Sequence, residues 1–283
     1  TRIMNTNILI IGGTGKTGRR VVEQLQKKGI EPRIGSRQAS PSFDWDDKDT
    51  WVNALNGIEK MYVTYYPDLA VPGAKEAVQS LTYLAKELGV KKMVLLSGKG
   101  ETEAEACEKI VIDSGIDYTI VRASWFNQNW SESFFLDPIL SGEVALPMSN
   151  VLIPFVDAND IAEVAATVLL DDNYNDRIIE VTGPELITFK DIINIISKTS
   201  KRNLNFYDIT LEQYIDGMKK MQIPNDVVWL IEYLFSHVLT NPKNQLVVND
   251  IEQILGRKAK TFLEYAEDTA KTGIWNQVTT QST

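Results

Sequence analysis

The stretch that decides the fold runs from residue 7 to residue 18 and reads NILIIGGTGKTG. Its first five residues form an apolar run of buried-strand length, and a glycine-rich turn with glycines at 12, 15 and 18 follows directly. A helical pattern comes next and ends near Gly29, where a helix C-cap is expected. Glu31 to Ser36 is a second strand candidate, so the region has the order and size of a βαβ unit.

Strand and helix candidates keep alternating beyond this unit. The strand candidates are Lys60–Thr64, Lys91–Ser97 and Asp117–Arg122, and the helix candidates lie near Pro72–Leu88 and Thr102–Ser114. Such alternation predicts an α/β fold, a doubly wound parallel sheet with helices on both faces in the Rossmann arrangement.

The pattern changes after residue 123, where the aromatic-rich segment Trp125–Phe135 begins. Val151–Val156 and Ile178–Thr182 are strand candidates, and Asp157–Leu170 is a helix candidate. The rest is mostly helical, with helix-start signals at Thr188, Thr210, Asn249 and Thr261. We therefore expect a core at residues 1–123 and a mixed region at 124–283, which adds core strands and helices at about 151–182 and a helical lid.

Composition excludes several classes of function. The chain has 283 residues, 43% of them hydrophobic, a net charge of −9, one cysteine and one histidine. These counts argue against a disulfide framework, a metal centre and a Ser-His-Asp triad. The acidic balance argues against nucleic-acid binding. The chain shows neither a membrane-spanning apolar run nor a signal-peptide pattern, so we expect a cytoplasmic protein that binds no membrane.

The glycine pattern points to a dinucleotide. Glycine permits the tight turn and the close approach of backbone to a pyrophosphate, which the helix N-terminus then attracts. A flexible surface turn is the simpler alternative, but the strand, turn, helix and second strand all fall where the motif requires them. A phosphate loop of the Gly-Lys-Ser/Thr type is excluded by the spacing around Lys16.

The end of the second strand candidate selects the nucleotide. An acid there would bind the ribose hydroxyls of NAD, whereas an arginine can pair with the 2′-phosphate of NADP. The chain has Ser36 and Arg37 there and no acid before Asp44. We therefore expect NADP, with NADPH preferred over NADH. Arg33 is either a second contributor or a solvated strand residue.

Several longer strings extend the assignment along nearly the whole chain. They are GGTGKTG, FDW at 43–45, VLLSGKG at 94–100, SGIDYTIVRASWFNQNW at 114–130, IPFVDANDIAEVAATVL at 153–169 and GPELITFKDI at 183–192. Together they resemble the NmrA-type atypical short-chain dehydrogenase/reductases. Within that group the chain is most similar to the ergot-alkaloid clavine dehydrogenases and to the NmrA-type NAD(P)H:quinone oxidoreductases and triphenylmethane reductases.

The resemblance implies a cofactor site built at strand ends. Its residues would be Gly12, Thr14, Gly15, Lys16 and Thr17 at the pyrophosphate; Arg37, beside Ser36, at the 2′-phosphate; Asp44 and Trp45, after a further short strand, at the adenine; Thr64, Tyr65 and Tyr66 at the ribose wall; and Ser97, Gly98 and Ala123 near the nicotinamide. The substrate residues it implies are Ser124, Trp125, Phe126, Asn129 and Trp130. For Trp45, Trp125 and Trp130, ordinary core packing is the alternative.

The chain departs from ordinary short-chain dehydrogenases in the helix after residue 101, which contains no tyrosine and no Tyr-x-x-x-Lys. That pair normally supplies a proton to a reduced ketone. We therefore expect an acceptor that is already strongly electrophilic, such as a quinone or an iminium carbon. Tyr65, Tyr66 or Lys99 would supply a proton where one is needed.

Two further features of the same helix have simple interpretations. The acidic run Glu101, Glu103, Glu105 and Glu108 either favours a cationic substrate or, as we prefer, forms a solvated helix face. Cys107 is expected to be a small buried apolar residue rather than a nucleophile.

These observations predict an NADPH-dependent reductase that transfers hydride to a small conjugated electrophile. The alternative is an NADP(H)-binding redox sensor of the NmrA type without catalytic activity. The apolar segment Trp229–Leu239 is typical of either a pocket lid or a subunit contact, and in the second case the protein would form a homodimer.

Overall fold

The apolar run that follows Asn7 lies inside a parallel sheet, as the sequence predicts. The computed structural model describes residues 3–133 and 135–277, so Phe134 of the aromatic segment lies outside the described residues. The described residues form eight strands: β1 (Ile3–Ile11), β2 (Ile30–Gly35), β3 (Lys60–Val63), β4 (Lys92–Gly98), β5 (Asp117–Ala123), β6 (Glu143–Leu146), β7 (Arg177–Val181) and β8 (Asn205–Asp208).

Six of these strands form the main sheet in the order β2-β1-β3-β4-β5-β7, with every neighbouring pair parallel. Residues Ile8 to Ile11 at its centre are at most 2% exposed. A parallel strand covered on both faces needs apolar side chains on both sides, which explains the unbroken apolar run. The strand order reverses between β1 and β3, and in open α/β sheets ligands bind at such a switch point. The predicted doubly wound fold is confirmed.

The chain divides into two compact units. The first contains residues 1–123, 158–181 and 250–257, and the second contains 124–157, 182–249 and 258–283. The helices of the first unit are α1 (Gly18–Lys27), α2 (Trp51–Leu55), α3 (Ala74–Glu87), α4 (Thr102–Ile112), α7 (Ala158–Leu170) and α11 (Asp250–Leu255). Helices α2, α3 and α4 pack on one face of the main sheet, where Leu95 and Ile120 meet Cys107. Helices α1 and α7 pack against each other in the same unit.

The second unit contains the helices α5 (Asn129–Glu132), α6 (Leu136–Ser141), α8 (Phe189–Ser200), α9 (Leu211–Lys220), α10 (Asn225–Tyr233) and α12 (Phe262–Ala270). Its strands β6 and β8 form a two-stranded parallel sheet. Capping boxes begin α8, α9 and α12 at Thr188, Thr210 and Thr261, as the sequence predicts. Each threonine side chain accepts a bond from a backbone N–H that the helix itself leaves unpaired.

Two strand predictions are wrong. Val151–Val156 makes only isolated bridges, from Ile153 to Ile187 and from Phe126 to Val156. Pro154 lies between them and has no N–H to donate to a ladder. The short strand expected before Asp44 is absent, because residues 36–43 form turns, bends and irregular backbone, and the bridge that follows, between Asp44 and Asp47, is an isolated one.

Local side-chain hydrogen bonds also hold the residues after Phe43 in turns. The side chain of Asp44 accepts the N–H of Asp46 at 2.9 Å, and the side chain of Asp47 accepts the N–H of Asp49 at 3.1 Å. Such local side-chain bonds favour turns over a ladder.

Candidate cofactor site

Two glycines of the loop between β1 and α1 cannot carry a side chain. Gly12 has a φ of +73°, and a Cβ there would lie 2.3 Å from Oγ1 of Thr64. A Cβ on Gly18, the first residue of α1, would lie 1.8 Å from the carbonyl oxygen of Gly12. The loop is thereby held tightly against both β3 and its own helix. This geometry brings a helix N-terminus to the carboxyl edge of the sheet, where its N–H groups and dipole attract phosphate.

A buried hydrogen bond holds the loop from within the sheet. Thr17 is the N-cap residue of α1 and is 4% exposed, and its Oγ1 lies 2.8 Å from the hydroxyl of Tyr62. Tyr62 is fully buried in β3, and burial raises the pKa of its hydroxyl. The side chain of Thr17 therefore faces inward rather than toward a ligand. Sequence reasoning missed Tyr62, although a tyrosine within a buried strand signals that its hydroxyl has a partner.

Ser36 and Arg37, the residues predicted to form a 2′-phosphate subsite, follow β2 directly. Ser36 is buried and Arg37 is exposed directly after the strand end. Arg33 is half-buried, and its Nη1 donates to the carbonyls of Ala54 at 2.9 Å and Asn56 at 2.7 Å. It is therefore bound to the end of α2 and is not merely a solvated strand residue, while its contribution to the 2′-phosphate subsite stays a prediction.

Trp45, Thr64 and Tyr65 come together at the end of β3. The indole N–H of Trp45 donates to the carbonyl of Thr64 at 3.0 Å, and its ring meets that of Tyr65 edge to face at 5.0 Å. Burial, and then the Asp46 carboxylate, raise the pKa of Tyr65. Tyr66 differs from its neighbours, because its side chain is 87% exposed. Trp45 itself is half-buried, so the core-packing alternative accounts for only part of its surface.

Ser97 lies near the end of β4 and is linked to two residues of neighbouring elements. Its hydroxyl donates to Oε2 of Glu108 on α4 at 2.6 Å. Glu108 is 1% exposed and also accepts from Nε and Nη2 of Arg122 on β5, at 2.6–3.0 Å. These contacts form a buried polar group next to the carboxyl edge of the sheet.

Lys99 and Gly98 complete this edge. The Lys99 ammonium is buried and lies 3.5 Å from Oε2 of Glu180. A Cβ on Gly98 would lie 1.8 Å from Oε2 of Glu101, so the Glu101 carboxyl lies directly over this glycine. The backbone N–H of Lys99 donates to the carbonyl of Ala123 at 3.0 Å, which places the predicted nicotinamide residues side by side.

The solvated-face interpretation of the acidic run is wrong for two of its four residues. Glu101 and Glu108 are 4% and 1% exposed, while Glu103 and Glu105 are exposed. Burial, and then the nearby Asp68 carboxyl, raise the pKa of Glu101 well above its usual range.

Cys107 has the environment that the sequence predicts. It is completely buried on the inner side of α4, where it packs in the core of the first unit. Burial raises the pKa of its thiol to about 11. A thiol of that pKa is almost entirely protonated at neutral pH and is a poor nucleophile.

The five predicted substrate residues all belong to the second unit and differ in burial. Trp130 is fully buried, stacks on Phe135 at 4.4 Å and accepts the Trp275 indole N–H on its carbonyl at 2.8 Å. This is what the core-packing interpretation predicted. Ser124 is buried, whereas Trp125, Phe126 and Asn129 are half-buried and keep accessible surface.

Within residues 3–133 and 135–277, no group of three or more His, Cys, Asp or Glu side chains is arranged to hold a metal ion. No helix in the described parts of the chain has both the length and the apolar character needed to cross a membrane.

Two models of known protein families match the chain. Residues 103–270 match the model of the NmrA-like family, and residues 12–172 match a model described as NAD(P)H-binding. Each match covers more than half of the chain.

Individual relatives are similar along most of their length. Prestalk A differentiation protein A of Dictyostelium discoideum is 28% identical over 95% of both chains. Agroclavine dehydrogenase of Claviceps fusiformis is 26% identical over 92% of this chain and 96% of its own. An NADPH-dependent quinone oxidoreductase of Escherichia coli, solved with NADPH, superposes with a TM-score of 0.78 over 92% of this chain and 99% of its own. At 20% identity, that superposition establishes the fold alone.

Proposed function

The chain belongs to the NmrA-like family and is an NAD(P)H-dependent oxidoreductase, and from this premise we propose that it is an NADPH-dependent reductase of small conjugated electrophiles. The proposed reaction moves one hydride, with its two electrons, from the cofactor to an electrophilic carbon of a quinone, an iminium or a related acceptor. The Tyr-x-x-x-Lys proton relay takes no part in it.

The observation that carries the proposal is the environment of α4. In a relay, a lysine on this helix lowers the pKa of a tyrosine four residues before it. Here the residue four positions before Lys109 is Glu105, and the Lys109 ammonium is exposed and paired with Asp113 at 2.7 Å. The inward side of the helix carries Cys107 and Glu108 instead. Ketone reduction, which requires protonation of an alkoxide, is therefore disfavoured.

The residues proposed to bind the cofactor belong to the first unit. The backbone N–H groups at the start of α1 would hold the pyrophosphate, with Thr14, Gly15 and Lys16 around it. Arg37 would pair with the 2′-phosphate by charge-assisted hydrogen bonds. Asp44 and Trp45 would flank the adenine, beside Thr64. When bound, NADPH supplies hydride from its dihydronicotinamide ring.

The acceptor decides whether a proton donor is needed. An iminium carbon takes a hydride and becomes a neutral amine, whereas a quinone becomes an anion that must be protonated. Tyr65 carries its phenolic proton at neutral pH, although burial raises its pKa and makes it a weaker acid, and it lies after the end of β3, beside the predicted site. Tyr66, in solvent, and Lys99, paired with Glu180, are the other proposed donors.

Four residues that come soon after β5 in the chain are proposed to contact the acceptor: Ser124, Trp125, Phe126 and Asn129. A half-buried aromatic ring such as Trp125 suits a flat conjugated molecule, because ring faces pack in offset or edge-to-face geometry. Trp130 would support these residues from the core.

The test is consumption of NADPH by the purified protein with a panel of quinones, cationic triarylmethane dyes and cyclic iminium compounds, with an aliphatic ketone as control. Binding of NADPH is followed separately by its fluorescence. We expect turnover with at least one conjugated class and none with the ketone. Turnover of the ketone at a comparable rate would overturn the proposal.

A second candidate is a redox sensor that binds NADP(H) and does not turn over, which the missing tyrosine on α4 also favours. Tight NADPH binding without turnover of any compound would support the sensor over the reductase.

A further inference from the structure

Ser97 and Arg122 are direct neighbours in the main sheet. They are paired in the parallel register of β4 and β5, and their side chains share the face that α4 covers. Glu108 reaches this face from α4 and contacts both residues. Three elements thus meet at one carboxylate, close to the strand end where the nicotinamide is proposed to lie.

The contacts determine which way the Ser97 hydroxyl points. A carboxylate held by two guanidinium N–H groups at 2.6–3.0 Å is ionised and can only accept hydrogen bonds. The proton in the 2.6 Å contact with Glu108 therefore comes from Ser97. A hydroxyl has one proton and two lone pairs, so Ser97 has only acceptor capacity left.

The pair that sets this direction has further charged partners. Arg122 is held further by Glu180 at 3.8 Å and by Glu105 at 4.0 Å. Glu108 is buried, so removing either partner would leave an uncompensated charge or an unpaired donor in the interior. Rotation of the hydroxyl away from Glu108 would therefore cost a charge-assisted hydrogen bond.

We propose that Glu108 and Arg122 are positioning residues that keep the Ser97 oxygen a hydrogen-bond acceptor, and that this oxygen binds the carboxamide N–H of the nicotinamide. The inference rests on the proposed function only in that a nicotinamide cofactor binds at this strand end. A hydroxyl oriented in this way cannot donate to a ketone oxygen. Ser97 is therefore proposed to orient the cofactor ring and not to contact the electrophile.

The experiment compares two ligands that differ only in the nicotinamide. Dissociation constants for NADPH and for 2′-phospho-ADP-ribose, which lacks that ring, are measured for the wild type, Ser97→Ala and Glu108→Gln. We expect both variants to bind NADPH about fivefold to tenfold more weakly, the effect of one hydrogen bond, and to bind the fragment within about twofold of wild type.

Thr119→Val is the matched control. Thr119 is also a buried strand hydroxyl, but it donates to the carbonyl of Tyr174 at 2.8 Å near the beginning of β5. Its loss should affect stability and leave the ratio of the two dissociation constants unchanged. Ser97→Ala keeps the Glu108–Arg122 pair, so it remains informative if Glu108→Gln does not fold.

Three outcomes would overturn the inference. If binding of NADPH and of the fragment were weakened equally, Ser97, Glu108 and Arg122 would have a structural role only. If binding of both were unchanged, Ser97 would contact neither ligand. A change confined to the KM of the electrophile would show that Ser97 contacts the electrophile and not the cofactor. Each of these is compatible with continued turnover, so failure here is separate from failure of the proposed reductase.

Discussion

The hydroxyl of Tyr62, inside β3, lies 2.8 Å from Oγ1 of Thr17 at the N-cap of α1. The bond joins the glycine loop to the strand beside it, and both residues are buried. A buried hydroxyl that loses its partner carries the full cost of its desolvation. The loop position therefore depends on a residue that would not itself touch the cofactor.

Tyr62→Phe should lower the free energy of unfolding by about 1 kcal/mol and weaken NADPH binding severalfold, because Thr17 loses its partner. Urea unfolding and fluorescence titration measure the two effects. Tyr83→Phe is the control, since Tyr83 is 68% exposed on α3. Unchanged NADPH affinity in Tyr62→Phe would show that the bond stabilises the fold without positioning the loop.

Gly18→Ala should abolish tight NADPH binding, with at least a tenfold loss of affinity. Its Cβ would lie 1.8 Å from a backbone oxygen, so the loop must move. Gly217→Ala is the control, because a Cβ in the middle of α9 has no atom within 4 Å. That variant should raise the free energy of unfolding by up to about 1 kcal/mol. Wild-type affinity in Gly18→Ala would contradict the proposed phosphate site.

Arg37→Glu should invert the nucleotide preference from NADPH toward NADH. The variant loses charge-assisted hydrogen bonds to the 2′-phosphate and repels it, so NADPH binding should weaken by about tenfold to a hundredfold. The ratio of the two dissociation constants is the readout. Arg33→Ala should lower stability without changing that ratio, since Arg33 binds the carbonyls of Ala54 and Asn56. An unaltered ratio in Arg37→Glu would remove Arg37 from the site.

Trp125→Ala should reduce turnover more than it weakens NADPH binding, because the half-buried ring is proposed to contact the acceptor. Trp130→Ala should instead lower the free energy of unfolding by about 3–5 kcal/mol, as the loss of a fully buried aromatic ring does. Kinetics and thermal unfolding separate the two. Equal losses of turnover and binding in Trp125→Ala would assign this ring to the cofactor site.

Glu101→Gln should be more stable than the wild type at high pH and equally stable at low pH. The pKa of Glu101 is raised in the folded state by burial and by Asp68, so folding favours the protonated form. The stability that this form contributes is present below the unfolded pKa and is lost as pH rises through the folded pKa. Thermal unfolding from pH 4 to pH 9 measures the difference. If the difference in stability between the wild type and Glu101→Gln did not change with pH, the raised pKa of a buried Glu101 would be refuted.

The sequence alone determined the fold class and the position of the glycine loop. Both rest on neighbouring residues: the apolar run of β1, the glycines at 12, 15 and 18, and the helix that follows. Local steric limits on glycine and the two-sided burial of a parallel strand act at short range, so they can be read from adjacent positions. The capping boxes at Thr188, Thr210 and Thr261 were found for the same reason.

The tertiary structure decided which polar side chains meet. Thr17 and Tyr62 are 45 positions apart, Ser97 and Glu108 are 11 apart, and Glu108 and Arg122 are 14 apart. Their contacts depend on strand register and on the face that a helix buries, neither of which any local pattern specifies. The same limit made Glu108 read as a solvated acid and left the bonds from Arg33 to the carbonyls of Ala54 and Asn56 unpredicted. A buried charge is tolerated only where a partner from another element reaches it, and only the assembled sheet supplies that partner.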